Sequence, residues 1–313
     1  PDLLPERVEL WVNDFRLRTW PGRGKEAFRE DVVIPAGAFR AGDNKVTVVA
    51  LNAARGRAEA GGVVRNPAKA AEPNLVGLAV GINDYAAHRT AVAGARSLGD
   101  LGKASADATG VRKALLNYRG DGKFFKNGEV AAVLDDAADR KGILAALADL
   151  KKAAVRPDDL LVVFFAGHGD LLLPGGGPPD APPKELAARG LARDAGLFVL
   201  CCPDYAPARP GATAVSCDEL FEALAGVNCR KLVLLDACHS GGAAGANVLR
   251  RLVPNGQGPT VIASCDQGEL AFEDDALGHG VFTYAVLEAL GPRFRTADAD
   301  SDGTVSTAEL YGY

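Results

Sequence analysis

Residues 160–170 read LLVVFFAGHGD, and residues 231–242 read KLVLLDACHSGG. Each is an unbroken apolar run of strand length that ends on small residues and then releases a reactive side chain, His168 in one and Cys238 in the other. Apolar runs without alternation mark strands buried on both faces, as in parallel sheets. Similar runs occur at 75–82, 130–134, 197–201 and 261–263, and helical periodicity fills 106–118, 140–154 and 216–227. The last of these opens with Ser216 and Glu219 at capping-box spacing. Strands alternating with amphipathic helices predict an α/β fold, a mostly parallel sheet with helices on both faces. Ligands bind beyond the carboxyl ends of such strands, where His168 and Cys238 stand.

Working outward, residues 8–59 have a different texture. Val8–Val12 and 15–20 alternate around an Asn13-Asp14 turn, and 31–34 and 45–51 complete four expected strands. Four strands are too few for a sandwich of about seven, so an immunoglobulin-like, truncated β segment is expected over 1–60. Gly, Ala and Pro over 61–74 read as a linker, leaving 75–292 for the α/β domain and 293–313 for a separate loop. The stretch 171–193 contains PGGGPPDAPP and reads as a long surface loop.

Charged residues make up 24% of the chain and the net charge is −5, without a basic block, so neither nucleic acid nor an anionic membrane is the expected partner. No apolar run reaches the length of a membrane span. The six cysteines do not form paired metal spacings and fall in one large domain, which favours a reducing, cytoplasmic setting over a disulfide framework. A sequence that starts on Pro1 and has no methionine is expected to be part of a longer chain.

Most cysteines in apolar strands are small buried hydrophobes, and Cys201, Cys202, Cys217, Cys229 and Cys265 read that way. Cys238 and His168 differ because both leave strands at the ligand-binding edge beside glycines. In order, VGINDY (80–85), 104–116 around Asp107, FFAGHG (164–169), LDACHSG (235–241), VIASCDQ (261–267) and GHGVFT (278–283) resemble the motifs of caspase-like cysteine peptidases. More specifically, they resemble the bacterial metacaspase-like (orthocaspase) branch. Caspases carry Q-A-C-[RQG]-G with His about 50 residues upstream; this chain has Asp236-Ala-Cys-His and a longer interval, as metacaspases do.

The resemblance implies that Cys238 is the nucleophile, His168 its general acid/base, and the N–H groups of Gly169 and Cys238 the oxyanion donors. No third triad member is evident, and Asp170 reads as a turn residue. Two residues apart on a strand, Asp236 lies about 6–7 Å from Cys238 on the same face, so its carboxylate is placed to select Arg or Lys at P1 of a protein or peptide substrate. The family's second pocket acid matches Asp107, which by itself reads equally as a polar residue in the first turns of a helix. Asp266 is a third candidate. Arg189, Arg193, Arg250 and Arg251 are sites for self-processing or plain surface residues. The alternative function is a catalytically silent caspase-like interaction domain, with the β segment, including Trp11 or Trp20, recruiting a protein partner.

Residues 298–309, DADSDGTVSTAE, fit the twelve-position EF-hand loop. Asp298, Asp300 and Asp302 occupy positions 1, 3 and 5, Gly303 position 6, the Thr304 carbonyl position 7, Ser306 position 9 and Glu309 position 12. Calcium is the expected cofactor, regulatory or structural; the competing reading is a solvated acidic turn.

Overall fold

The computed structural model describes residues 4–23, 29–52, 56–85, 98–153, 155–172, 197–206, 209–237, 258–264 and 273–313. Strands β1 (Pro5–Val12), β2 (Phe15–Pro21), β3 (Gly42–Asn52) and β4 (Arg57–Asn66) form one antiparallel sheet in the order β2-β1-β3-β4. Strand β4, registered on β3 from Gly42↔Asn66 to Leu51↔Arg57, crosses the expected boundary at 60, so residues 61–66, assigned to the linker by composition, are strand. Its side chains are largely exposed, so backbone pairing rather than apolar burial makes the strand. Conversely, 31–34 is not a strand: Val33 is 92% exposed, and the segment pairs with no strand among the described residues.

The inner side of this small sheet is covered by a helix rather than a second sheet. Trp11 and Val49 pack on Ala225, so Trp11, only 5% exposed, is a core residue and not a docking side chain. Arg16 pairs with Glu222, and the fully buried Lys231 ammonium donates to the Asp14 carbonyl and carboxylate and to the Cys229 carbonyl. Charge and packing thus both fix the segment to the α/β unit.

That unit is built on β5 (Leu75–Gly81), β6 (Gly128–Leu134), β7 (Leu160–Gly167), β11 (Arg230–Ala237) and β12 (Thr260–Ala263), all parallel, in the order β12-β11-β7-β5-β6. Between β7 and β11 come β8 (Gly169–Leu172), β9 (Leu197–Cys201) and β10 (Ala214–Ser216), a separate antiparallel sheet; the apolar run at 197–201 belongs there and not to the main sheet. Leu161, Val163 and Phe165 face one core, with α2 (Arg140–Lys152) and α3 (Cys217–Ala225); Val162 and Phe164 face the other, with α1 (Ala104–Leu116) and α4 (Val281–Ala289). Burial on both faces explains why these strands read as continuous apolar runs. The Ser216–Glu219 capping box is formed, with both reciprocal bonds in place. Among the described residues, no helix is long and apolar enough to cross a membrane.

Strand β5 connects through α1 to β6 on one side, after which the chain passes β5 to reach β7 on the other. The reversal creates a switch point between β5 and β7, and their carboxyl ends are where a ligand is expected.

Candidate active site

At that switch point β7 runs into His168. Its main-chain N–H donates to the Tyr85 hydroxyl (2.8 Å), and the Tyr85 hydroxyl in turn lies 3.4 Å from the Cys201 carbonyl, to which it donates. The two rings meet edge to face at 4.7 Å. Tyr85 is fully buried, and it requires Gly167: a Cβ there would stand 2.7 Å from the tyrosine oxygen.

The imidazole itself is oriented by Nε2, which lies 2.8 Å from the Gly99 carbonyl oxygen. A carbonyl only accepts, so Nε2 carries the proton and Nδ1 is the nitrogen left to exchange one. Burial pushes the His168 pKa below its usual value, against the opposing pull of Gly99, Glu273 and Asp100. The shift favours the neutral imidazole. Glu273 also caps the approach to α1, accepting from the Gly102 and Lys103 N–H groups at 2.8 Å each.

Asp170 does not orient this histidine. It lies in β8 rather than a turn and accepts from the Tyr205 hydroxyl at 2.6 Å. Gly169 faces Leu200 across β8 and β9, while the neighbouring bond runs from Cys201 N–H to the His168 carbonyl. In an antiparallel ladder such bonds alternate, so the Gly169 N–H is directed away from β9.

Strand β11 ends at Ala237, in register with Gly167. Cys238 and Asp266 lie outside the described residues, as do Cys265, Arg189, Arg193, Arg250 and Arg251. The remaining cysteines are buried thiols: Cys201, Cys202, Cys217 and Cys229. Burial raises Cys202 and Cys229 to about 12 and Cys217 higher still, so none of these three supplies a thiolate.

The two sequence-predicted pocket acids are brought together. Asp236, 7% exposed, accepts from the Thr283 hydroxyl at 2.6 Å. Asp107, 2% exposed, bonds His279 Nδ1 at 2.6 Å and accepts from the Gly280 N–H at 3.1 Å. Burial is the first cause raising both pKa values, and Asp236 reaches about 6. Sequence reasoning gave no role to Tyr85, Gly99, His279 or Thr283. The motifs VGINDY and GHGVFT contain three of them, but which atoms they touch depends on the crossovers.

In the 298–309 loop, Asp298, Asp300 and Asp302 each place a carboxylate oxygen within 4.8 Å of the others. Gly303 adopts φ +86°, and Asp298 accepts the Asp302 and Gly303 N–H groups at 3.1 Å. Glu309 ties the loop's two ends, accepting from Ala299 and from Ser306 at 2.8 Å, and Ser306 caps α5 (Thr307–Gly312).

No family model and no curated protein matches the sequence. Among solved structures, the chain is similar to a crystal structure of a Geobacter sulfurreducens protein at 19% identity and TM-score 0.47, covering 69% of this chain and 82% of that one. It is also similar to the structure of pro-sf-caspase-1 at 15% identity and TM-score 0.34, covering 71% of each chain. The D319A mutant of the PilB minor pilin from Streptococcus sanguinis is matched at 10% identity and TM-score 0.33, over 96% of this chain and 90% of that one. The described residues themselves define an α/β architecture, a five-stranded parallel sheet flanked by helices with a separate antiparallel β segment.

Proposed function

We propose that this chain is a caspase-like cysteine endopeptidase that hydrolyses peptide bonds after Arg or Lys. The observation that carries the reading is the placement of His168: its ring is oriented through Nε2 at the carboxyl end of β7, beside a strand whose next residue is Cys238. As the Cys238 sulfur attacks the peptide carbonyl, His168 Nδ1 takes the thiol proton and then delivers it to the leaving amine. Water hydrolyses the thioester by the same route, its proton passing to His168 and back to the cysteine. The lowered His168 pKa supports a neutral base that removes the proton during attack, rather than a resting imidazolium. Gly169 and Cys238 N–H groups receive the oxyanion. Asp236 and Asp107 supply the negative pocket for P1, and Asp266 is a further candidate acid.

Calcium is proposed as a bound ion of the C-terminal loop. Asp298, Asp300, Asp302, the Thr304 carbonyl, Ser306 and Glu309 are hard oxygen donors in the order calcium takes them. The ion would neutralise the loop's carboxylates and fix its shape, with no part in the bond-breaking steps. We also propose a protein partner for the β segment, through surfaces other than the buried Trp11, and a cytoplasmic setting.

Matched fluorogenic peptides with Arg, Lys or Asp at P1, with and without calcium, test this reading against a Cys238→Ala blank. Arg or Lys turnover that vanishes in the variant is expected. Cleavage only after Asp would overturn the acidic pocket, and no turnover under any condition would favour a silent interaction domain.

A further inference from the structure

A cavity of about 750 Å³ opens at the amino ends of β7 and β11, across the sheet from His168. Its volume lies in the range of small-molecule sites. The walls are unlike one another. One is apolar, from Leu160 and Val162 of β7, Leu232 and Leu234 of β11, Leu115 of α1 and Phe125. The second is residues 303–307 of the acidic loop together with Leu310. The third is polar and mostly basic: Arg40 and Lys45 from the β segment, and Arg230 and Lys231 from the start of β11, against Asp14 and Asp158.

These charges are not equally committed. Lys231 is saturated by Asp14 and the Cys229 carbonyl and is buried. The Arg230 guanidinium is half-exposed and lies 4.0 Å from Asp158 Oδ1, too far for a hydrogen bond. That oxygen is buried and accepts no hydrogen bond among the described residues. Arg40 makes no ion pair among the described residues. Two guanidinium groups that donate no hydrogen bond among the described residues therefore stand beside a large apolar surface, and guanidinium is the side chain suited to paired contacts with a carboxylate.

We infer that this cavity is a second ligand site, for an amphiphile with an aliphatic body and one carboxylate head, held by the apolar wall and by Arg40 and Arg230. The site is separate from the peptidase edge and does not depend on Cys238.

Titration of the whole chain with dodecanoate, below its micellar concentration and in EGTA, followed by calorimetry, tests the inference independently of proteolysis and of calcium. Saturable one-site binding is expected, at least tenfold tighter than 1-dodecanol or dodecyltrimethylammonium. Arg40→Gln with Arg230→Gln is expected to weaken dodecanoate at least tenfold while leaving the thermal melt in place. Absence of saturation, or equal affinity for acid and alcohol, overturns the inference. So does an unaltered affinity in the double variant. If that variant does not fold, the comparison of head groups on the unmodified chain decides.

Discussion

Asp107 of α1 and Asp236 of β11 converge on Gly280, where a Cβ would stand 3.1 Å from an Asp107 oxygen and 2.8 Å from an Asp236 oxygen. Residues 129 positions apart thus share one buried negative corner, each held by its own donor, His279 or Thr283. Glycine at 280 permits the approach, because any side chain there would enter the space between the carboxylates.

The corner predicts an opposition between stability and specificity. Burial raises the Asp236 pKa from 3.8 to about 6, so the folded state holds the proton more tightly than the unfolded chain. Stability from this group is fully present below pH 3.8 and is lost as pH rises through 6, a cost of about 3 kcal/mol at neutral pH. Asp236→Asn should therefore raise Tm at pH 7.5 by several degrees, a gain that shrinks toward pH 4. The same substitution should remove the preference for Arg over neutral P1 residues. Calorimetry at the two pH values and a P1 peptide panel check both halves; a variant that is less stable at pH 7.5 would refute the burial argument. In the unmodified chain, KM for Arg peptides should rise as pH falls below 6, since protonated Asp236 no longer attracts a cation.

His168 and Tyr85 make a second, separable prediction. His168→Ala should lower kcat by 10²–10⁴-fold with the fold intact. Tyr85→Phe keeps the ring beside the imidazole but leaves the His168 N–H without its acceptor, at a cost of about 1–3 kcal/mol. Its kcat should fall more than its KM rises, because the fully buried hydroxyl acts through the main chain of His168, the base proposed above. A Tyr85→Phe enzyme with unchanged kcat and Tm would remove Tyr85 from that role.

Much of the α/β unit was legible because burial on both faces leaves an unbroken apolar signature: 160–166 and 75–82 each match a strand to within a residue. Asp107 and Asp236 were legible as candidate acids because strand geometry and a motif match pointed to them separately. Strand β4 was not, since its pairing uses backbone groups that any side chain carries, and its Gly and Ala side chains bury almost nothing. The run at 197–201 looked like the core strands because it is equally apolar, yet it pairs with β8 and β10; apolarity reports burial and not the partner. His279 was hidden for a related reason: its contact with Asp107 spans 172 positions and follows only from α1 and α4 sharing a face of the sheet.

Attachment of the β segment should depend on Lys231. Its ammonium is fully buried, with Asp14 as its counter-charge. Lys231→Ala leaves Asp14 without that partner, and breaking a buried pair from one side costs about 3–5 kcal/mol. Hydrogen exchange should then accelerate across β1 and β3 while β5 and β7 keep their protection. Uniform acceleration through both units would instead mean that the segment and the α/β unit unfold together.

The loop at 298–309 gives the last prediction. If Glu309 supplies the twelfth-position carboxylate, calcium must draw it from the Ala299 and Ser306 N–H groups it now accepts. Calcium at 100 times its Kd should stabilise the chain by about 2.7 kcal/mol, a shift absent with magnesium at the same concentration if the site keeps calcium's larger coordination number. Glu309→Gln should abolish most of the shift, and Asp300→Asn should reduce it. Glu309 also serves the capping box of α5, so Glu309→Gln lowers the calcium-free Tm slightly as well. The calcium-dependent difference, rather than either Tm alone, separates ligation from capping: a Glu309→Gln chain that still gains the full increment would assign Glu309 to the cap and leave the metal to other oxygens.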